Sequence, residues 1–230
     1  GSVSRMTITS RSRGEHMGAE LVVDGGAAQD IRPVGAPAGT VVRVENLFYN
    51  VPARFKFLKT DRTEQRRIVE LVERYSLAYP AVRFNLKVNN RKSVQTTGNG
   101  DRREVLVNFF GAEHARQMIE VLAQYDEIEI TGYISPPSVT RSNRKAILFF
   151  VNGRPVQDYA LNAALVRAYH TLLMVGRFPM GVLFINIPPG EVDVNVHPAK
   201  SEVRFRQQDE VFRSVGRAVR SALMAHTPVQ

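Results

Sequence analysis

Apolar and polar residues alternate with period two over Val3-Ser4-Arg5-Met6-Thr7-Ile8-Thr9-Ser10, a pattern that predicts a half-buried strand. Further short strands are expected at 19–23 and 39–44, separated by a Gly-, Pro- and Ala-rich loop over 24–38. The stretch 47–54 is expected to turn. Asp61 with Glu64 resembles a capping box and opens a helix expected to run to about Ala78. Ile68, Leu71, Val72 and Tyr75 recur at helical spacing and predict one buried stripe, with Arg66, Arg67 and Arg74 off it. Tyr79-Pro80 ends the helix. Val82, Phe84, Leu86 and Val88 then alternate, and Asn89-Asn90 can turn a hairpin into 93–97.

Gly98-Asn99-Gly100 sets the expected boundary between a domain at 1–98 and a second at 101–230. Asp101 is positioned to cap a short helix that Gly111 ends. Strands are expected near 119–124 and 128–134. Residues 135–145 join Pro136-Pro137 to Arg141, Arg144 and Lys145 among small polar residues, which predicts an exposed, mobile, basic loop. The runs 146–151 and 180–187 are nearly all apolar, so both are expected as strands buried on two faces, with a third strand at 191–196. A helix over about 157–173 should bury Leu161, Leu165, Ala168 and Leu172. A last helix should turn Val211, Phe212, Val215, Val219 and Leu223 inward and leave Arg213, Arg217 and Arg220 solvated. Strands alternating with crossover helices predict a sheet covered by helices on one side. The expected class is therefore α+β and α/β two-layer sandwiches.

Composition narrows the function. The 230 residues carry a formal charge of +9, which points toward polyanions. The excess is concentrated: 54–92 holds 11 Lys and Arg against 4 Asp and Glu, whereas 99–230 holds 15 against 13. With no Cys, disulfides and thiolate metal sites are excluded, and the five His show no metal-ligand spacing. No apolar run is long enough to span a bilayer and no signal peptide opens the chain, so a soluble, cytoplasmic protein is expected. The most informative stretch is 193–205. It pairs an alternating strand with a sharp His197-Pro198 break and a lone lysine, Lys200. A compact ammonium on a flexible stem finds phosphate as a point charge, so Lys200 is read as a sensor of a nucleotide held elsewhere.

Three motifs then carry a resemblance. Gly39-Thr40-x-Val42-x-Val44-x-x-Leu47-Phe48-Tyr49-Asn50-x-Pro52-Ala53-Arg54-x-Lys56-Phe57-Leu58 resembles the fourth ATP-site motif of the MutL family of DNA mismatch repair proteins. Phe150-Val151-Asn152-Gly153-Arg154 and the stretch 193–205 resemble two further signatures of that family, and the similarity extends over about 3–224. The resemblance implies a partial GHKL-type (Bergerat) nucleotide lobe at 1–98, followed by a ribosomal-protein-like βαβ transducer domain at 101–230. It also implies that the first ATP-binding motifs lie outside this chain. ATP and Mg2+ are then cofactors of the full-length protein, and this chain alone is expected neither to bind ATP tightly nor to hydrolyse it.

By the same resemblance Lys200 is the catalytic, γ-phosphate-sensing lysine, Thr40 lies beside the nucleotide, and Asn195 holds the lysine loop. Arg154 matches an arginine in a basic DNA groove, where a guanidinium makes bidentate phosphate contacts. Arg141, Arg144, Lys145, Lys56 and Lys59 are weaker candidates for DNA contact, alongside Arg54. His197 is assigned to shaping the turn. The implied role is coupling of ATP binding to homodimer closure on DNA and to partners: the mismatch sensor MutS, a nuclease and a helicase. The expected location is the bacterial cytoplasm, at the nucleoid. A stand-alone, ATP-independent nucleic-acid-binding module remains the alternative, supported by the basic block.

Overall fold

Alternation in the first strands produces a sheet with chemically distinct faces. The computed structural model describes residues 1–193 and 203–226. It divides into two compact units, 1–66 and 67–230. In the first, β1 (Arg5–Arg11) pairs antiparallel with β2 (Gly18–Asp24) on one side and β5 (Gly39–Glu45) on the other. Met6 and Ile8 stand opposite Val23 and Leu21 on β2 and opposite Val44 and Val42 on β5, so these six share one face.

The segment 24–38 is not all loop: β3 (Ala27–Ala28) and β4 (Arg32–Val34) both pair with β2. Pairings this short leave no periodic signal in sequence. Ion pairs on the polar face tie the strands together. Arg5 donates twice to Asp24, at 2.8 and 3.2 Å, and Arg32 donates to Glu20 at 2.5 and 2.9 Å. The turn after β5 runs through the left-handed region at Asn46 and Phe48 (φ 53° and 65°) into a short helix α1 (Pro52–Phe55), with proline in its first turn.

Helix α2 (Asp61–Ala78) crosses the division between the units. Its start corrects two expectations. Asp61 is the first helical residue rather than the cap, and the Glu64 carboxylate accepts the Lys59 N–H at 3.0 Å. The expected stripe is also rotated: Ile68, Leu71 and Tyr75 are 49%, 51% and 41% exposed, while Ser76, Leu77 and Ala78 are buried. Periodicity identifies residues that share a face; it does not say which face meets the core. A hairpin follows, β6 (Asn85–Val88) and β7 (Arg91–Gln95), turned by Asn89 and Asn90 at φ 49° and 61°.

Beyond the hairpin, α3 (Arg102–Phe110) is capped as expected: the Asp101 carboxylate accepts the N–H groups of Arg103 and Glu104, and Gly111 closes the helix at φ 85°. A further helix, α4 (Ala112–Gln117), leads to β8 (Ile119–Tyr125) and β9 (Ile128–Ile134). Then come β10 (Thr140–Arg141), β11 (Ile147–Val151), β12 (Arg154–Val156), α5 (Tyr159–Ala168), β13 (Phe178–Pro179) and β14 (Gly181–Asn186). The described chain ends with β15 (Val192–Asp193), β16 (Arg204–Phe205) and α6 (Gln208–His226).

The main sheet has the order β12-β11-β14-β9-β8, with β11 and β14 parallel and their crossover carried by α5. Its helical cover extends beyond the single side expected. Phe149, Val151, Leu183 and Ile185 face α5 and α6. Their alternate neighbours Leu148, Phe150, Val182 and Phe184 pack with Leu77, Val105, Leu106 and Ala115 from α2, α3 and α4. Two covered faces explain why β11 and β14 are apolar at both parities. Helix α5 stops at Ala168, so Leu172 lies beyond it and is 48% exposed. Tyr169 leaves the helix to donate its hydroxyl to the Ser135 carbonyl at 2.5 Å, inside the core. The loop expected over 135–145 is therefore anchored at its start and pairs at 140–141, while 142–145, with Arg144 and Lys145, are exposed as expected. Ser135 is buried and its hydroxyl accepts the Met180 N–H at 3.0 Å, and Arg141 pairs with Phe178 through β10 and β13.

Candidate functional site

Thr40 is the second residue of β5, at the edge of the first unit's sheet. It stands opposite Ser10 in the ladder, and the two hydroxyl oxygens lie 2.8 Å apart in a hydrogen bond. A hydroxyl pair on an exposed strand can accept or donate toward a polar ligand without leaving its own bond unmade. The stretch 47–50 that follows is tied down. Phe48 N–H donates to the Val3 carbonyl at 2.6 Å, the Asn50 amide to the Ser2 carbonyl at 3.1 Å, and the Tyr49 hydroxyl to Asp24 at 2.7 Å. The Tyr49 hydroxyl, and then the Arg5 guanidinium, hold the Asp24 carboxyl below its usual range. Arg54, Lys56 and Lys59 are exposed around α1.

Lys200, Asn195 and His197 lie outside the described residues. Their flanks are fixed. Val192 pairs with Phe205 and Asp193 with Arg204 through β15 and β16, the Arg206 N–H donates to the Glu191 carbonyl at 2.9 Å, and Val203 and Phe205 are buried in the core beside α6.

Asn152-Gly153 makes the left-handed turn between β11 and β12 (φ 47° and 78°). The Asn152 side chain clamps Ile187, accepting its N–H at 3.0 Å and donating to its carbonyl at 2.9 Å. This fixes the strand end that presents Arg154, which is exposed and makes no side-chain hydrogen bond or ion pair among the described residues.

Arg141, Arg144 and Lys145 come together at the opposite end of β11. Asn143 caps the short 3-10 turn over Arg144–Ala146, and the Arg144 guanidinium lies 5.0 Å from the Phe178 ring centroid and 6.0 Å from that of Tyr159. The cluster gains a member that sequence reasoning missed. Arg177 donates to the Thr140 hydroxyl at 2.8 Å and to its carbonyl at 3.1 Å. Only the pairing of β10 with β13 brings Arg177 there, and residues so distant in sequence give no local signal. The structure thus gathers four cations at one end of β11 and places Arg154 at the other. Among the described residues no three His, Cys, Asp or Glu stand together to hold a metal ion, and no helix is long and apolar enough to cross a membrane.

Comparison with known proteins gives these features a context. Residues 106–224 match the model of the DNA mismatch repair protein, C-terminal domain. The chain is 41% identical over 222 residues to the DNA mismatch repair protein MutL of Streptococcus thermophilus, covering 96% of this chain and 34% of that protein. It is 40% identical to MutL of Lactococcus lactis subsp. cremoris over the same length. The chain therefore spans about a third of the length of the curated relatives it matches. Among solved structures it is similar to the Aquifex aeolicus MutL ATPase domain complexed with ADP. The TM-score is 0.68 at 28% identity, covering 94% of this chain and 73% of that one. The B-subunit of DNA gyrase from Myxococcus xanthus matches at TM-score 0.56 and 14% identity, a likeness of fold alone.

Proposed function

This chain belongs to the MutL family of DNA mismatch repair proteins, and on that premise we propose that it couples nucleotide occupancy to the engagement of DNA and repair partners. Its fold is that of the GHKL-type ATPase domains of MutL and gyrase. The observation that carries the reading is the likeness of nearly the whole chain to a MutL ATPase domain that holds ADP.

In this reading residues 1–98 contribute to a nucleotide lobe and 101–230 form the transducer. Lys200 meets the γ-phosphate and stabilises charge on the transferred group, as cationic clamps do in phosphoryl transfer. Thr40 lies beside the nucleotide, and Asn195 holds the lysine's segment. ATP and Mg2+ would be held in the whole protein, and among the described residues no three His, Cys, Asp or Glu gather to hold a metal ion. ATP would close two copies together, an order-and-closure switch. The closed homodimer would hold DNA in the cytoplasm and relay to MutS, a nuclease and a helicase.

Lys200→Ala in the whole protein is the test. Turnover is expected to fall about a hundredfold, the scale of removing one charge-stabilising group. Nucleotide affinity, measured by titration, is expected to fall much less. Equal loss of affinity and turnover would sink the sensor role. The 230-residue chain alone is expected to release no phosphate from ATP above blank. A second reading, an ATP-independent nucleic-acid binder, is favoured by the Arg141, Arg144, Lys145 and Arg177 cluster; it predicts DNA affinity that ATP leaves unchanged in the whole protein.

A further inference from the structure

Residues 174–177 form a tight turn. The Arg177 N–H donates to the Met174 carbonyl at 3.1 Å, and Gly176 sits at φ 79°, as the third residue of a type II turn requires. At its tip Val175 is 103% exposed and Met174 84%. Both ends of the turn are rooted. Tyr169 and Leu173 pack into or against the core on one side, and Phe178–Pro179 pairs with Thr140–Arg141 on the other. On the approach Thr171, a β-branched residue, sits at φ 75°, a costly conformation that the anchored surroundings hold in place. The apolar tip is thus a held feature and not a stray hydrophobic side chain.

Its surroundings are cationic. Arg177 is braced against Thr140, and Arg141, Arg144 and Lys145 flank the same small sheet. Asp158, next to the 78%-exposed Tyr159, is already engaged, accepting the Leu161 N–H at 2.8 Å as the cap of α5. A convex apolar tip beside cations suits a polyanion with an apolar interior. Duplex DNA has that chemistry: phosphates for the guanidinium and ammonium groups, and a base step that an aliphatic side chain can wedge apart.

We propose that the Met174-Val175 turn inserts into a base step of duplex DNA while Arg141, Arg144, Lys145 and Arg177 hold the adjoining phosphates. The proposal rests on the DNA-contact reading above. The test uses the whole protein and a short duplex carrying 2-aminopurine, whose fluorescence rises when its step unstacks.

Wild type is expected to raise the fluorescence. Met174→Ser with Val175→Ser should abolish the rise and weaken binding about tenfold, equivalent to about 1.4 kcal/mol, with the salt dependence unchanged. Val175→Leu should retain the rise. Both tip residues are exposed, so folding is not at stake. Wild-type DNA binding without a tip-dependent rise overturns the wedge and leaves the DNA reading standing. No salt-dependent binding at all overturns both. Tip-dependent binding to anionic phosphatidylglycerol vesicles, with DNA binding indifferent to the tip, overturns the wedge in favour of a lipid surface.

Discussion

Asp24 and Glu73 are carboxylates of one chain perturbed in opposite directions. Asp24 accepts the Tyr49 hydroxyl and the Arg5 guanidinium, both of which favour its charged form. Its carboxyl is held below its ordinary range in the folded state, so its contribution to stability is present above that ordinary range and is lost as pH falls through the lowered value. Asp24→Asn should therefore lower the urea midpoint at neutral pH, and the gap from wild type should close as the solution is taken below the carboxylate range. A gap that persists unchanged in acid would show that the loss is steric. Glu73 is pushed up, chiefly by burial and secondarily by Glu70. The folded state then binds its proton more tightly, so stability declines as pH rises through the carboxylate range. Glu73→Gln is expected to raise the thermal midpoint at neutral pH, with the gain shrinking toward acid. Neither shift was legible in the sequence, because each depends on which side chain the fold brings alongside.

The elements that sequence located well are those whose signal is local. The paired alternation of β8 and β9, the all-apolar β11 and the Asp101 and Gly111 limits of α3 need only neighbours to be recognised. What escaped depends on distant partners: the two-residue ladder of β10 with β13, the outward rotation of the α2 stripe, and the end of α5 at Ala168, where Tyr169 turns inward to Ser135. The candidate site divides the same way. The Asn152-Gly153 turn and Arg154 could be read directly, whereas Arg177 needed the fold. Gly132 gives the sharpest element-scale test. It sits in β9 at φ 146°, and a Cβ there would lie 2.1 Å from the Val182 carbonyl oxygen of β14. Backbone cannot yield as a side-chain tip can. Gly132→Ala should cost about 3 kcal/mol in urea unfolding, the upper end of ordinary overpacking. Asp158→Ala, which removes the α5 cap but leaves the sheet untouched, should cost only about 1 kcal/mol. Equal costs would mean that the β9–β14 contact can relax.

Charge is organised differently in sequence and in space. Counted along the chain, the basic excess falls in 54–92 and the remainder is near balance. In the second unit, however, Arg141, Arg144, Lys145 and Arg177 gather at one end of β11, and Arg154 stands at the other. The strand is five residues long, so the two groups stand about 15 Å apart at the usual rise per residue. That distance corresponds to roughly four or five base pairs of duplex, so one DNA molecule can meet both groups. It also exceeds the range over which neighbouring substitutions couple, so their effects should add. If both groups contact phosphate, each neutralised residue should remove about one unit from the slope of log affinity against log salt. Arg154→Ala should lower the slope by about one, Arg144→Ala with Lys145→Ala by about two, and the triple variant by about three. Titration of a labelled duplex at several salt concentrations measures all three. A triple variant no flatter than the double would remove Arg154 from the DNA surface, and unchanged slopes throughout would mean that this unit's cations meet something other than phosphate.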